Sequence, residues 1–197
     1  MPSFKESVKS IDPANPQGET RRERSAAYRY HLSVTIQQRK QMKSREATRA
    51  EVEKRVARFK NLVFPPERYP DSKLPGHERR NYLVIGTGLV VEGGKDPLSA
   101  IPINEGFTMS YVEAKPGNGP KLHNHDTNET FIAIKGRWRV IWGSKADQHV
   151  DLDPLDVCSM PPGVPRRFIN ISDGTKEEMG LLMTVQAGDQ PKAEFLE

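Results

Sequence analysis

The chain has 197 residues, of which 35% are apolar and 7% aromatic, and it carries a formal charge of +4 at neutral pH. That size suits one core-forming domain with an appendage, and no stretch approaches the eighteen apolar residues that an α-helical membrane span requires. A single cysteine, Cys158, excludes an intramolecular disulfide and suits a reducing compartment.

Charge is laid out unevenly along the chain. Residues 1–60 hold fifteen Lys and Arg against seven Asp and Glu, whereas residues 81–197 hold eleven against sixteen. The high pI of about 9.2 therefore belongs to an N-terminal arm and is no sign of a nucleic-acid-binding domain. The opening M-P-S-F-K-E-S-V-K-S lacks the apolar core of a signal peptide, so a cytoplasmic location is expected, with neither nucleic acid nor membrane as partner. Residues to about Glu19, with Pro13, Pro16 and Gly18, read as irregular chain. Two helices are predicted next, one from about Glu23 to Lys43 and one beginning after Thr48. In the second, Val52, Val56, Phe59 and Val63 recur every three to four residues as an apolar stripe. Thr48 and Glu51 have the spacing of a capping box. The stripe is expected to pack on the domain that follows or on a second subunit.

Phe64 to Gly76 reads F-P-P-E-R-Y-P-D-S-K-L-P-G, a stiff and polar connector suited to crossing a surface. The predicted organisation is thus a basic, partly helical arm over residues 1–63, a connector over 64–80 and an all-β domain over 81–197. Within the last, strands are predicted at Asn81–Glu92, Phe107–Ala114, Thr130–Ile134, Trp138–Trp142, Val150–Leu152, Val157–Met160, Arg167–Ile171 and Gly180–Val185. Short strands separated by turns indicate a sandwich or barrel. Gly86 to Gly88, G-T-G, lies inside a β pattern with no helix after it and is not a dinucleotide loop. Phe131, Trp138 and Trp142 are expected to pack the interior, and Cys158, with no histidine at a suitable spacing, to do the same.

The most specific segment is Gly117 to Gly136, G-N-G-P-K-L-H-N-H-D-T-N-E-T-F-I-A-I-K-G. Alternate residues of a strand share a face, so His123 and His125 point the same way, and a short turn can bring Glu129 to them. Two imidazoles and a carboxylate with open positions make a site for Fe, Mn, Ni or Zn. His31, His77 and His149 lie outside the motif and are expected at the surface.

This run resembles the first motif of the cupin superfamily: a glycine, five residues, H-x-H, three residues, a glutamate, six residues and a glycine. Leu155 to Asn170, with Pro161, Gly163 and Asn170, resembles the second motif. Two positions depart from it. Leu155 replaces the opening glycine, and Arg166 stands where the family usually carries its last histidine ligand. The resemblance implies a single jelly-roll β-barrel behind the N-terminal arm, one divalent metal ion per chain held by His123, His125 and Glu129, and pairing as a homodimer. A guanidinium is always charged and does not ligate, so two readings stay open. In one, the metal binds, Glu129 and Arg166 take part in catalysis, and Arg166 with Lys121 clamps a small anionic substrate at the cavity mouth, with Tyr111 as the one tyrosine candidate at the site. Dioxygenation or Lewis-acid chemistry fits this reading. In the other, Glu129 and Arg166 form a buried ion pair, and the protein is a metal-free binding or assembly module.

Overall fold

Among the described residues the computed structural model has eleven strands in two sheets, most of them built on alternation of apolar and polar side chains. The structure describes residues 44–67, 69–87, 99–173 and 178–196 in full, and residues 90–91 as backbone only. The helix expected from Glu23 to Lys43, and His31, lie outside the described residues. The chain divides into two compact units, Met1–Ala47 and Thr48–Glu197, and the second contains the fold described below.

The strands are β1 (Arg79–Ile85), β2 (Val90–Val91), β3 (Phe107–Ala114), β4 (His123–His125), β5 (Glu129–Lys135), β6 (Trp138–Trp142), β7 (Gln148–Leu152), β8 (Val157–Met160), β9 (Arg166–Asn170), β10 (Gly180–Ala187) and β11 (Lys192–Phe195). One sheet has the order β1-β3-β10-β5-β8 and the other β2-β11-β4-β9-β6-β7. Pairing is antiparallel throughout the named strands except between β2 and β11. Both sheets supply the core: Val112, Phe131 and Leu182 from the first interlock with Trp138, Val140 and Phe168 from the second. Phe131 and Trp138 are fully buried, as their expected packing role requires, and Cys158 lies half-buried against the same cluster. The architecture is an all-β jelly roll.

The helical prediction after Thr48 holds only at its start. The capping box forms, with Glu51 N donating to Thr48 Oγ1 and Thr48 N donating to Glu51 Oε2. The helix α1 then runs only over Arg49–Glu53, and a 3-10 turn follows at Phe59–Asn61. Val52, Val56, Phe59 and Val63 stay between 39% and 73% exposed among the described residues, although Phe59 lays its ring against Tyr82 and Tyr111. The stripe is therefore not a helix face packed on the barrel. Lys and Arg crowd this segment, and one or two turns cannot recover the cost of helix nucleation without a buried face.

The single long strand expected over Asn81–Glu92 breaks after Ile85. Gly86 has φ of +124°, outside the strand region, and a register shift marks the end of the β1–β3 ladder. The connector is less superficial than its composition suggests, since Tyr69 and Asp71 are buried.

Candidate metal centre

Strand β4 carries His123 and His125 inward, both buried, and β5 opens with buried Glu129. One ligand atom from each of the three lies within 4.8 Å of the others. The imidazoles are oriented from behind: His123 Nδ1 lies 2.8 Å from Lys121 O, and His125 Nδ1 lies 2.8 Å from Lys192 O. A carbonyl only accepts, so each Nδ1 carries the proton and each Nε2 offers a lone pair. These lone pairs face Glu129 Oε2, at 3.8 Å from His123 and 3.4 Å from His125. Metal–ligand bonds of about 2.0–2.2 Å place neighbouring donors roughly 3–3.5 Å apart. The two imidazole nitrogens stand at about that distance from Glu129 Oε2, and with all three donor atoms within 4.8 Å of one another a divalent ion would draw them together.

Protonation favours the same use. Burial pushes His125 down to about 4, against the pull of Glu129, so its imidazole is neutral at physiological pH. Burial raises the Glu129 carboxyl, but His125, His123 and Arg166 outweigh it and hold the group below the ordinary carboxylate range. Arg166, a guanidinium, brings a permanent charge to this group.

Arg166 does not reach the cavity mouth. Its side chain is 0% exposed and is used up in structural bonds: Nε donates to Glu129 Oε2 at 3.3 Å, Nη1 to Val164 O at 2.9 Å and Asn124 Oδ1 at 3.3 Å, and Nη2 to Thr127 O at 3.2 Å. Alternation along β9 turns Arg166, Phe168 and Asn170 inward together. Of these, only Phe168 lines the cavity. The expected substrate clamp is thus a buried counter-ion to Glu129. Lys121 also departs from expectation: its side chain is exposed, and its backbone does the work, donating N–H to Asp71 Oδ2 and accepting from His123. Tyr111 alternates to the outer face of β3, where its ring meets Phe59 at 5.6 Å, while its neighbours Ser110 and Val112 line the cavity.

The cavity itself holds about 50 Å³. Leu83, Val112, Pro120, Phe168 and Phe195 make its walls apolar, with Arg79, Asn81, Thr184 and Gln186 among the polar groups that join the triad. Gln186 sits beside Glu129 by the register of β10 on β5, and its amide Nε2 lies 3.0 Å from His125 Nε2. Sequence reasoning ended β10 one residue before Gln186 and so missed it. It also missed β11, which pairs with β4 and brings the Lys192 carbonyl to His125. The signal was present in K-A-E-F, whose Ala193 and Phe195 alternate toward the cavity.

The second motif is structural. Gly163 N donates to His125 O, and Asn170 ties Ala114 O to Ser172. His77 is half-buried, with Nδ1 at 2.9 Å from Gly119 O, and His149 is exposed; neither joins the triad.

Residues 110–189 match the family model described as a cupin domain. No curated protein matches the chain. Among solved structures, the chain is similar to a cupin 2 domain-containing protein from Halorhodospira halophila, at 18% identity over 60% of this chain and 70% of that one, with a TM-score of 0.45. A cupin 2 conserved barrel domain protein from Salinispora arenicola is 20% identical over 74% of this chain and 88% of its own, with a TM-score of 0.42. The oxalate decarboxylase of Lactobacillus farciminis, in a formate complex, is 17% identical over 60% of this chain and 31% of that one, with a TM-score of 0.46.

Proposed function

We propose, from the match of residues 110–189 to a cupin domain, that the chain is an enzyme that uses one divalent metal ion, held by His123, His125 and Glu129, to act on a small acidic metabolite. The observation that carries this reading is the pair of imidazoles whose Nδ1 atoms are fixed on backbone carbonyls while both Nε2 lone pairs converge on Glu129. Such outer contacts fix the tautomer that a metal ligand needs. When bound, the ion supplies Lewis-acid polarisation or, for Fe, dioxygenase-type redox chemistry.

The chain's own groups divide the remaining work. Arg166 keeps Glu129 ionised and in place, as a positioning residue. Turning its amide, Gln186 offers Oε1 as a fourth donor in place of the histidine that Arg166 displaces. Leu83, Val112 and Phe168 exclude water from the ligand side. A basic N-terminal arm that joins two copies into a homodimer completes the proposal, with action in the cytoplasm.

A second reading, a metal-free binding or assembly module, is favoured by the Arg166–Glu129 contact of 3.3 Å, which already gives the carboxylate a counter-ion. Elemental analysis of protein purified without a histidine tag separates the two. Near one Fe, Mn, Ni or Zn per chain, lost in the His123→Ala, His125→Ala variant, is the expected result. No metal after reconstitution with each ion refutes the enzyme reading.

A further inference from the structure

We propose that Arg79 and Asn81 form the anchoring end of the cavity and that they take a small hydroxy acid, its carboxylate on Arg79 and its hydroxyl on Asn81. The proposal rests on the metal-site reading above for the other end of the ligand.

The two residues stand on β1 at alternate positions, so both turn into the cavity, where they join the triad residues and Gln186. Arg79 is 5% exposed and tightly held. Its Nη2 donates to Asp71 Oδ1 at 2.8 Å and its Nη1 to His77 O at 3.1 Å, with the Tyr69 ring 5.5 Å from its guanidinium carbon. Its Nε, in contrast, is buried with no hydrogen-bond partner, and so is Asn81 Oδ1. Buried polar atoms are nearly always hydrogen-bonded. An orphan donor and an orphan acceptor two residues apart on one cavity wall describe a ligand that accepts at one point and donates at another. A carboxylate oxygen meets the first need and an alcohol O–H the second.

Charge asks for the same ligand. Asp71 offsets Arg79 and Arg166 offsets Glu129, while the two imidazoles turn their Nε2 atoms toward Glu129, that of His125 also meeting the Gln186 amide. A divalent ion at the triad leaves the cavity with unmatched positive charge in an apolar setting, and an anionic ligand supplies the match. Size narrows the choice. The cavity offers about 50 Å³, where one water occupies about 10–15 Å³ of such space. The space suits an acid of two or three carbons.

The test is calorimetric binding of glycolate and of acetate to zinc-loaded wild type and to Asn81→Leu. Glycolate is expected to bind about tenfold more tightly than acetate, the worth of one well-made hydrogen bond. In Asn81→Leu that preference disappears, acetate affinity stays within about twofold, and thermal stability does not fall, because Asn81 Oδ1 has no partner to lose. Arg79→Lys weakens both acids, and since it also disturbs Asp71, the Asn81 variant decides. Equal affinity for the two acids in wild type, or a glycolate preference that survives Asn81→Leu, overturns the proposal. A zinc titration of the same samples is read separately. Failure to bind zinc defeats the metal reading alone, and the glycolate preference is then measured on zinc-free protein, where Asn81→Leu must abolish it all the same.

Discussion

Replacing Arg166 with methionine keeps most of the buried volume and removes the charge. Its Nε lies 3.3 Å from Glu129 Oε2, and at an effective dielectric near 20 that separation corresponds to an attraction of about 5 kcal/mol. Val164 O, Thr127 O and Asn124 Oδ1 lose donors at the same time, and the enclosed site gives water little access to replace them. Breaking a buried pair from one side costs about 3–5 kcal/mol, a large share of a domain stability of roughly 5–15 kcal/mol. Urea unfolding at pH 8 with chelator present is expected to show a loss of about 4 kcal/mol in Arg166→Met. Adding Glu129→Gln removes the stranded charge and should recover about 2 kcal/mol, a coupling of the size contacting residues show. Zinc at about a hundred times its Kd should return about 3 kcal/mol to the single variant, because the ion takes over as counter-charge to Glu129. A loss below about 1 kcal/mol, or no recovery on adding Glu129→Gln, refutes the view that Arg166 exists to balance Glu129.

Gln186→Leu removes the proposed fourth donor, and cobalt titration followed by visible absorption should show affinity down about tenfold, with a changed spectrum if Oε1 is a ligand. Leu155, 77% exposed with φ of +78°, sits in the left-handed region; Leu155→Gly should raise stability by about 1 kcal/mol, read as a melting point a few degrees higher. In metal-free protein, His125 is held down to about 4 from an ordinary 6.5. Between those values the unfolded chain binds the proton and the folded chain does not, so the urea midpoint should fall as pH drops from about 6.5 toward 4, and His125→Gln should flatten that slope. Deleting residues 1–60 should give monomer or insoluble protein on a sizing column; an unchanged soluble dimer refutes the role of the arm.

What the sequence made legible follows from which constraints are local. His123, His125 and Glu129 could be placed because alternation and a three-residue turn are properties of neighbouring positions, and the strands of the second motif could be placed for the same reason. Their inward faces match in detail: Arg166, Phe168 and Asn170 share one side of β9. Depth along that side was not legible. Whether a long side chain at an inward position reaches the cavity or is absorbed behind it depends on acceptors such as Val164 O and Thr127 O, which only the folded backbone supplies. The polar wall was missed for a related reason. Arg79 and Asn81 sit at the join between a proline-rich connector and a strand, where composition reads as boundary. Only the β1–β3 pairing turns that boundary into a cavity lining.

The exchange of histidine for arginine in the second motif is best understood through the register of the neighbouring strands. In the described structure Arg166 pairs with His123 on one side and Trp142 on the other, so its Cβ starts close to the triad. Its length then carries the guanidinium past the position of a ligand nitrogen and into contact with Glu129 and the backbone of two loops. One donor is lost there. Across the same glutamate, β10 sets Gln186 directly beside it, and the amide already touches the free nitrogen of His125. Glu129 is therefore flanked by a permanent cation on one strand and a neutral amide on another. On the proposed function, with the Gln186 amide turned, the donor set would be two imidazoles, an amide oxygen and a carboxylate whose charge is partly matched by Arg166. Such a set binds a divalent ion less tightly than one in which the carboxylate is unmatched, and it leaves more of the ion's charge for an incoming anion. On the proposed function, the arginine that weakens the hold on the metal would, by the same electrostatics, strengthen the hold on the ligand.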